Sequence, residues 1–206
     1  MSKLFFFIFG NRYSFFFGFL VKTILKIYGA KIGKKFKAFS FPTFMLSNAK
    51  HLIIGDNVTF VGCPEIRIYD DSKIYIESHS KIDKGVRIIS AKNSIIKIGR
   101  YSVIGCYSII NGGGNIIIGE NCLISGFVYL QSSSHISDRS KLMQEQGYSY
   151  KDIVLENDVL IGAHSTILPG VKIATGAIVG SNSVINKNVE QYSIVAGAPA
   201  KEIGKR

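Results

Sequence analysis

The chain has 206 residues, 47% of them hydrophobic and 19% charged, with 25 Lys and Arg against 14 Asp and Glu. That length and composition suit one domain able to bury a core, and they exclude a disordered polycation. Three cysteines, Cys63, Cys106 and Cys122, form no Cys-x-x-Cys pair, which excludes a disulfide framework or a structural zinc site and points to a reducing cytoplasm.

Residues 1–50 form a basic, Phe-rich segment expected to be helical. Nine basic and no acidic residues precede Asp56, leaving sixteen basic against fourteen acidic in the rest of the chain. Twelve of the fourteen Phe lie in the same stretch. Its apolar runs, 4–9 and 15–21, fall short of the roughly 18 residues that span a bilayer. No small-residue cleavage site follows them, so a signal peptide is not expected. Two readings stay open. The segment packs on its own body, or residues 1–40 lie on the anionic inner face of the cytoplasmic membrane, Phe side inserted. Nucleic acid is not expected as a partner, because the body carries no basic stripe.

Residues 51–203 repeat with a period of six. Leu155, Ile161, Ile167, Ile173, Val179 and Ile185 are aliphatic without a break in spacing. Triplets with the same step begin at Ile54, Ile76, Ile98 and Ile118, which are 22, 22 and 20 residues apart. No α-helix has this period. Six residues make one side of a triangular prism, a short strand with one aliphatic pointing inward and then a turn, so the spacing predicts an all-β parallel solenoid. Gly55, Gly99, Gly105, Gly119, Gly162, Gly176 and Gly180 are expected where the backbone bends, with Asn57, Asn121, Asn157 and Asn182 nearby.

The period stops after Leu130 and resumes at Leu155, so a polar loop is inserted at about 131–153. An interruption of this length in a regular solenoid points to function. The loop opens with His135, one of four histidines. His51 and His79 read as solvated, and His164 as a turn residue or a cleft lining. His135 combines a corner, polar neighbours and a loop able to cover it. Acyl transfer from a thioester to a hydroxyl needs a base for the hydroxyl proton, and an imidazole can take that proton and return it to the leaving thiolate.

In residues 118–203 the sequence resembles the hexapeptide-repeat acetyltransferases, in particular the galactoside, maltose and envelope-polysaccharide O-acetyltransferases. The resemblance rests on Ile118-Gly-Glu-Asn-Cys-Leu-Ile124, the Ser134-His135 corner, Leu160-Ile-Gly-Ala-His-Ser-Thr-Ile-Leu-Pro-Gly-Val171, Val179-Gly-Ser-Asn-Ser-Val-Ile-Asn-Lys187 and Ile194-Val-Ala-Gly-Ala-Pro-Ala-Lys201. It implies a left-handed parallel β-helix with a short N-terminal helical segment and a protruding loop. It also implies a homotrimer, acetyl-CoA as co-substrate and no metal. His135 falls on the catalytic histidine, and Ala163, Ser181, Asn186, Lys187 and Lys201 on acetyl-CoA contacts. The small side chains of Ala163 and Ser181 would let a pantetheine arm approach the backbone, and the two lysines suit phosphates, although either lysine alone also fits a solvated surface. Asn111 lies near the acceptor-binding asparagine, its rival reading being a turn residue. Two departures stand out: Val159 and Leu160 occupy the place of a family Trp, and Ile136 follows His135 where galactoside-type relatives have Pro.

The function so implied is transfer of an acetyl group from acetyl-CoA to a hydroxyl of a sugar or cell-envelope glycan precursor, with His135 as general base. Acetylation of an amino-sugar nitrogen and a non-catalytic β-helix scaffold are the alternatives. A zinc-dependent relative of the same fold would need two closely spaced histidine ligands, which 51, 79, 135 and 164 do not supply.

Overall fold

In the computed structural model, which describes residues 2–206 and side chains from Tyr13 onward, the six-residue period is a three-sided, left-handed parallel β-helix. Its hand runs against the usual right-handed crossover preference for parallel strands. Coils stack in register, so Ile76 pairs with Ile54 and Ile98, Ile118 with Leu155, and Leu155 with Ile173. The aliphatics of the period all point inward and are buried: Ile54 through Ile173 under the first face, Phe60 through Val179 under the second, Ile66 through Ile185 under the third. Burying each such side chain contributes about 1.5–3 kcal/mol, which makes this column the main source of stability.

The corners are built differently from expectation. Of the glycines expected at bends, only Gly176 has a positive φ, 71°. Left-handed corners are instead occupied by Asn57, His79, Tyr101, Asn121, Asp158 and Tyr192 on one edge, and by Tyr107, Phe127, His164 and Asn182 on another. Asp158, not Asn157, takes this conformation. Rings at these corners stack coil on coil, His79 on Tyr101 at 4.7 Å and Phe127 on His164 at 4.8 Å, and that contact offsets the backbone cost. Most of the other glycines are required by crowding. A Cβ on Gly162 would sit 2.5 Å from the Ser181 amide nitrogen of the next coil.

The N-terminal segment divides in two. A helix runs Ser2–Ile27 and stops at Gly29, whose φ of 99° lets the Ala30 amide bond back to the Leu25 carbonyl. Among its described side chains, Ser14, Gly18, Val21 and Leu25 form the buried face, spaced four, seven and eleven residues along. It closes the end of the column, and it lies so close to the first coil that a Cβ on Gly18 would meet the Phe36 carbonyl oxygen at 2.5 Å. The apolar run at residues 4–9 has its side chains outside the described residues. The β-helix begins at Lys31–Ile32, not after residue 50, and its first coil continues through Lys37–Ala38 and Thr43–Leu46. Ile32, Ala38 and Phe44 keep the six-residue step. Ala38 hid the coil from sequence reading, because its small side chain leaves the space that Phe36 and Phe60 fill edge to face at 5.1 Å.

At the far end, an antiparallel hairpin of Ser193–Gly197 and Ala200–Lys205 extends the second face. Among the described residues, no helix is long and apolar enough to cross a membrane.

Candidate active site

The insertion leaves the third face after the strand Tyr129–Gln131. It folds as an antiparallel hairpin in which Ser133–His135 pairs with Tyr148–Tyr150, with His135 opposite Tyr148. Both ends are pinned to the preceding coil. Ser132 is buried, and its Oγ accepts from the amides of Gly113 and Gly114 at 3.0 Å. Asp152 accepts from the Asn115 amide at 2.8 Å and from its side chain at 3.0 Å. The Tyr150 ring lies over Gly113, where any Cβ would collide with it. At the tip, Gln146 donates to the carbonyls of Asp138 and Lys141 and accepts from the Asp138 amide. These bonds give the polar loop a defined shape.

His135 is exposed on the last residue of the outgoing strand, its ring tilted 40° against Tyr148 with centroids 4.2 Å apart. Its ring makes no hydrogen bond among the described residues, so both ring nitrogens are open to a ligand. Asn111 sits within the strand Ile109–Gly112 rather than in a turn, paired with Gln131 of the next coil, four residues before His135. Asn111 Nδ2 donates to Gln131 Oε1 at 2.9 Å, and Gln131 Nε2 donates to Ser133 Oγ at 3.0 Å. The Tyr129 hydroxyl donates to the same Gln131 oxygen. Asn111 keeps one amide proton and Oδ1 without a partner among the described residues. Tyr129, Gln131, Ser133 and Tyr148 were not singled out from sequence. The alternation of Tyr148-Ser149-Tyr150 against Ser133-Ser134-His135 was the signal for the hairpin.

The positions implied for acetyl-CoA fall into separate groups. Ala163 and Ser181 occupy the corner between second and third faces on successive coils, the Asn182 amide donating to the Ala163 carbonyl at 2.8 Å. Asn186 and Lys187 lie at the opposite end of the third face, in the same edge column as Asn111 and Gln131, two coils above the hairpin. Five to six extended residues, roughly 15–20 Å, separate the two corners. Lys201 stands on the C-terminal hairpin opposite Ala196. Asn186 and Lys187 also line a cleft of about 150 Å³ with Asn188, Glu190, Ala200 and Glu202. Lys187 and Lys201 are exposed, and neither pairs with a carboxylate among the described residues.

The remaining polar groups read as structural. Glu156 is held down to about 2 by its hydrogen bond to Lys172, then by the amide and hydroxyl of Thr175. Cys122 is buried, and desolvation pushes its thiol up, which removes it as a nucleophile. His51 is not solvated as expected: its Nδ1 is buried without a partner. His79 is exposed and stacks on Tyr101. His164 is an exposed corner residue, stacked on Phe127. No group of His, Cys, Asp or Glu able to hold a metal occurs among the described residues.

Comparison with known proteins agrees with this architecture. The family described as bacterial transferase hexapeptide (six repeats) matches residues 152–187, which contain Ala163, Ser181, Asn186 and Lys187 but neither His135 nor Lys201. A chloramphenicol acetyltransferase from Klebsiella aerogenes is 32% identical over 152 residues, 69% of each chain. A dTDP-4-amino-4,6-dideoxy-D-glucose acyltransferase from Escherichia coli is 28% identical over 166 residues, 78% of this chain and 82% of the relative. Among solved structures, a point mutant of AntD, an N-acyltransferase from Bacillus cereus in complex with dTDP-4-amino-4,6-dideoxyglucose and coenzyme A, superposes with a TM-score of 0.65. The alignment covers 90% of this chain and 88% of AntD, and at 20% identity the likeness is one of fold.

Proposed function

The chain belongs to the bacterial hexapeptide-repeat acetyltransferases, and from that premise we propose that it moves an acetyl group from acetyl-CoA to a hydroxyl of a sugar or cell-envelope glycan precursor. The observation that carries this reading is a hydrogen-bonded link from one prism edge to the hairpin: Asn111 to Gln131, and Gln131 to Ser133, two residues before His135 on the same strand. That strand ends in an exposed imidazole packed on Tyr148, and Asn111 keeps hydrogen-bonding capacity to spare. In this reading His135 takes the acceptor proton as the hydroxyl oxygen attacks the thioester carbonyl carbon. A C–O bond forms, the C–S bond breaks as the tetrahedral intermediate collapses, and the proton passes to the departing thiolate. Asn111 orients the acceptor, with Gln131 and Ser133 fixing its amide.

Ala163, Ser181 and Asn186 line the cofactor path, and Lys187 and Lys201 meet its phosphates. In one chain the Ala163–Ser181 corner and the His135 edge lie on opposite sides of the third face. That separation favours a homotrimer as the working unit, one copy's corner facing the next copy's hairpin. The reaction belongs in the cytoplasm, where acetyl-CoA is supplied, and it uses no metal.

A sugar amine as acceptor is the second reading, favoured by the similarity to an amino-sugar acyltransferase over 78% of the chain. Acetyl-CoA consumption across a panel of sugars and amino sugars, with hydroxylamine treatment of the products, separates the two: esters are cleaved and amides survive. His135→Asn should lower turnover by about a hundred-fold or more with fold and assembly intact. Parent-like turnover in that variant refutes the base assignment.

A further inference from the structure

We propose that the outward face of the N-terminal helix, together with the first coil, is a docking surface for an anionic lipid bilayer. Among its described side chains, from Tyr13 onward, the helix buries one stripe. Away from the prism it exposes Phe16 at 59%, Phe19 at 65% and Ile27 at 76%, and Tyr28 beyond its end at 73%. Phe41, which packs edge to face on Phe17 at 4.8 Å, and Met45 of the first coil are also about half exposed. From Tyr13 to Tyr28 the apolar strip is about 22 Å long at 1.5 Å per residue. Strips of aromatic and aliphatic side chains this long are uncommon on a soluble surface and mark an interaction site.

The charge around the strip selects the occupant. Lys26, Lys31, Lys34, Lys35 and Lys50 are exposed beside it, and Lys37 extends over the Phe15 ring at 4.8 Å. Among the described residues none of these six lysines pairs with a carboxylate, and the sequence offers no acidic residue before Asp56. Six unpaired ammonium groups rimming an apolar strip would repel a second copy of the same surface. They complement a surface that is apolar within and anionic at its rim, the profile of a bilayer rich in acidic headgroups. The aromatic rings and the long lysine stems suit the interfacial zone, apolar at one end and wet at the other.

The full chain should sediment with vesicles of phosphatidylcholine and phosphatidylglycerol at about 7:3, stay in solution with pure phosphatidylcholine, and release in high salt. Phe16→Ser with Phe19→Ser removes two exposed rings that the fold does not bury, and should weaken vesicle partitioning at least about ten-fold while the sedimentation coefficient and circular dichroism stay at the parent's values. Lys34→Glu with Lys35→Glu, both on the exposed first turn of the prism, should abolish the preference for anionic vesicles. A parent that ignores both vesicle types overturns the proposal, as does a charge-reversed variant that keeps its preference. A Phe16, Phe19 variant that binds vesicles normally but changes its oligomeric state also overturns it, because the strip would then join copies of the chain.

Discussion

Replacing Asn111 by Ala tests the candidate site most directly, because the side chain has one partner inside the protein and spare capacity outside. Its Nδ2 gives one proton to Gln131, while the other proton and Oδ1 have no partner among the described residues. One uncharged hydrogen bond contributes about 0.5–1.5 kcal/mol, so two bonds to an acceptor sugar are worth about 1–3 kcal/mol. At 1.36 kcal/mol per factor of ten, kcat/KM for the acceptor should fall roughly five- to 150-fold. The constant for acetyl-CoA should not move. Stability should change by less than about 1 kcal/mol, since the side chain is half-buried and its neighbours on the column, Ile110 and Leu130, are untouched. Steady-state kinetics in both substrates, paired with urea unfolding, measures the two effects separately. A double-mutant cycle with Gln131→Ala adds a second check, because coupled amides should give a double variant little worse than either single one. If kcat/KM stays within two-fold while stability drops by several kcal/mol, Asn111 is a structural residue and the acceptor lies elsewhere.

Two further outcomes follow from charges on the prism. Lys187→Ala should raise the KM for acetyl-CoA by about ten-fold and leave kcat near the parent value, since an exposed lysine meeting a phosphate binds ground and transition states alike; a kcat effect with unchanged KM contradicts this. Glu156 is depressed to about 2 by Lys172 and Thr175, so its contribution is complete above the ordinary carboxylate range and is lost as pH falls toward 2. Glu156→Gln should therefore cost about 1 kcal/mol at pH 7, a modest figure because the side chain is a third exposed, and the gap should close in acid. A gap that stays constant from pH 7 down to pH 3 contradicts the linkage.

The column was legible in the sequence because a buried position on a prism face tolerates little besides a medium aliphatic. Ile76, Ile98, Ile118, Leu155 and Ile173 announce themselves by type and spacing alone. The first coil was not legible, since Ala38 and Phe44 break the aliphatic run and the volume is made up by Phe36, which lies outside the period. The corners misled for a related reason. Glycine can mean a left-handed turn or a close approach, and Gly162 and Gly176 look alike in sequence while serving different needs. At the candidate site, His135 and Asn111 were visible through their residue type and place, whereas Gln131 and Tyr129 act through hydrogen bonds across coils that no linear spacing displays.

The three coils beneath Asn111, from Ile32 to Ser90, hold none of the groups assigned to acyl transfer. At about 4.8 Å per coil they raise Asn111 some 14 Å above the first coil, and the hairpin bearing His135 leaves one coil higher; the helix adds close to 10 Å more. Their length is thus a spacer. Deleting one coil, or duplicating one, would lower or lift the Asn111 edge by a fixed increment without redrawing it. If the foot rests on lipid, that height sets how far a glycan must project from its anchor before it can be acetylated, so the number of coils acts as a gauge on acceptor size.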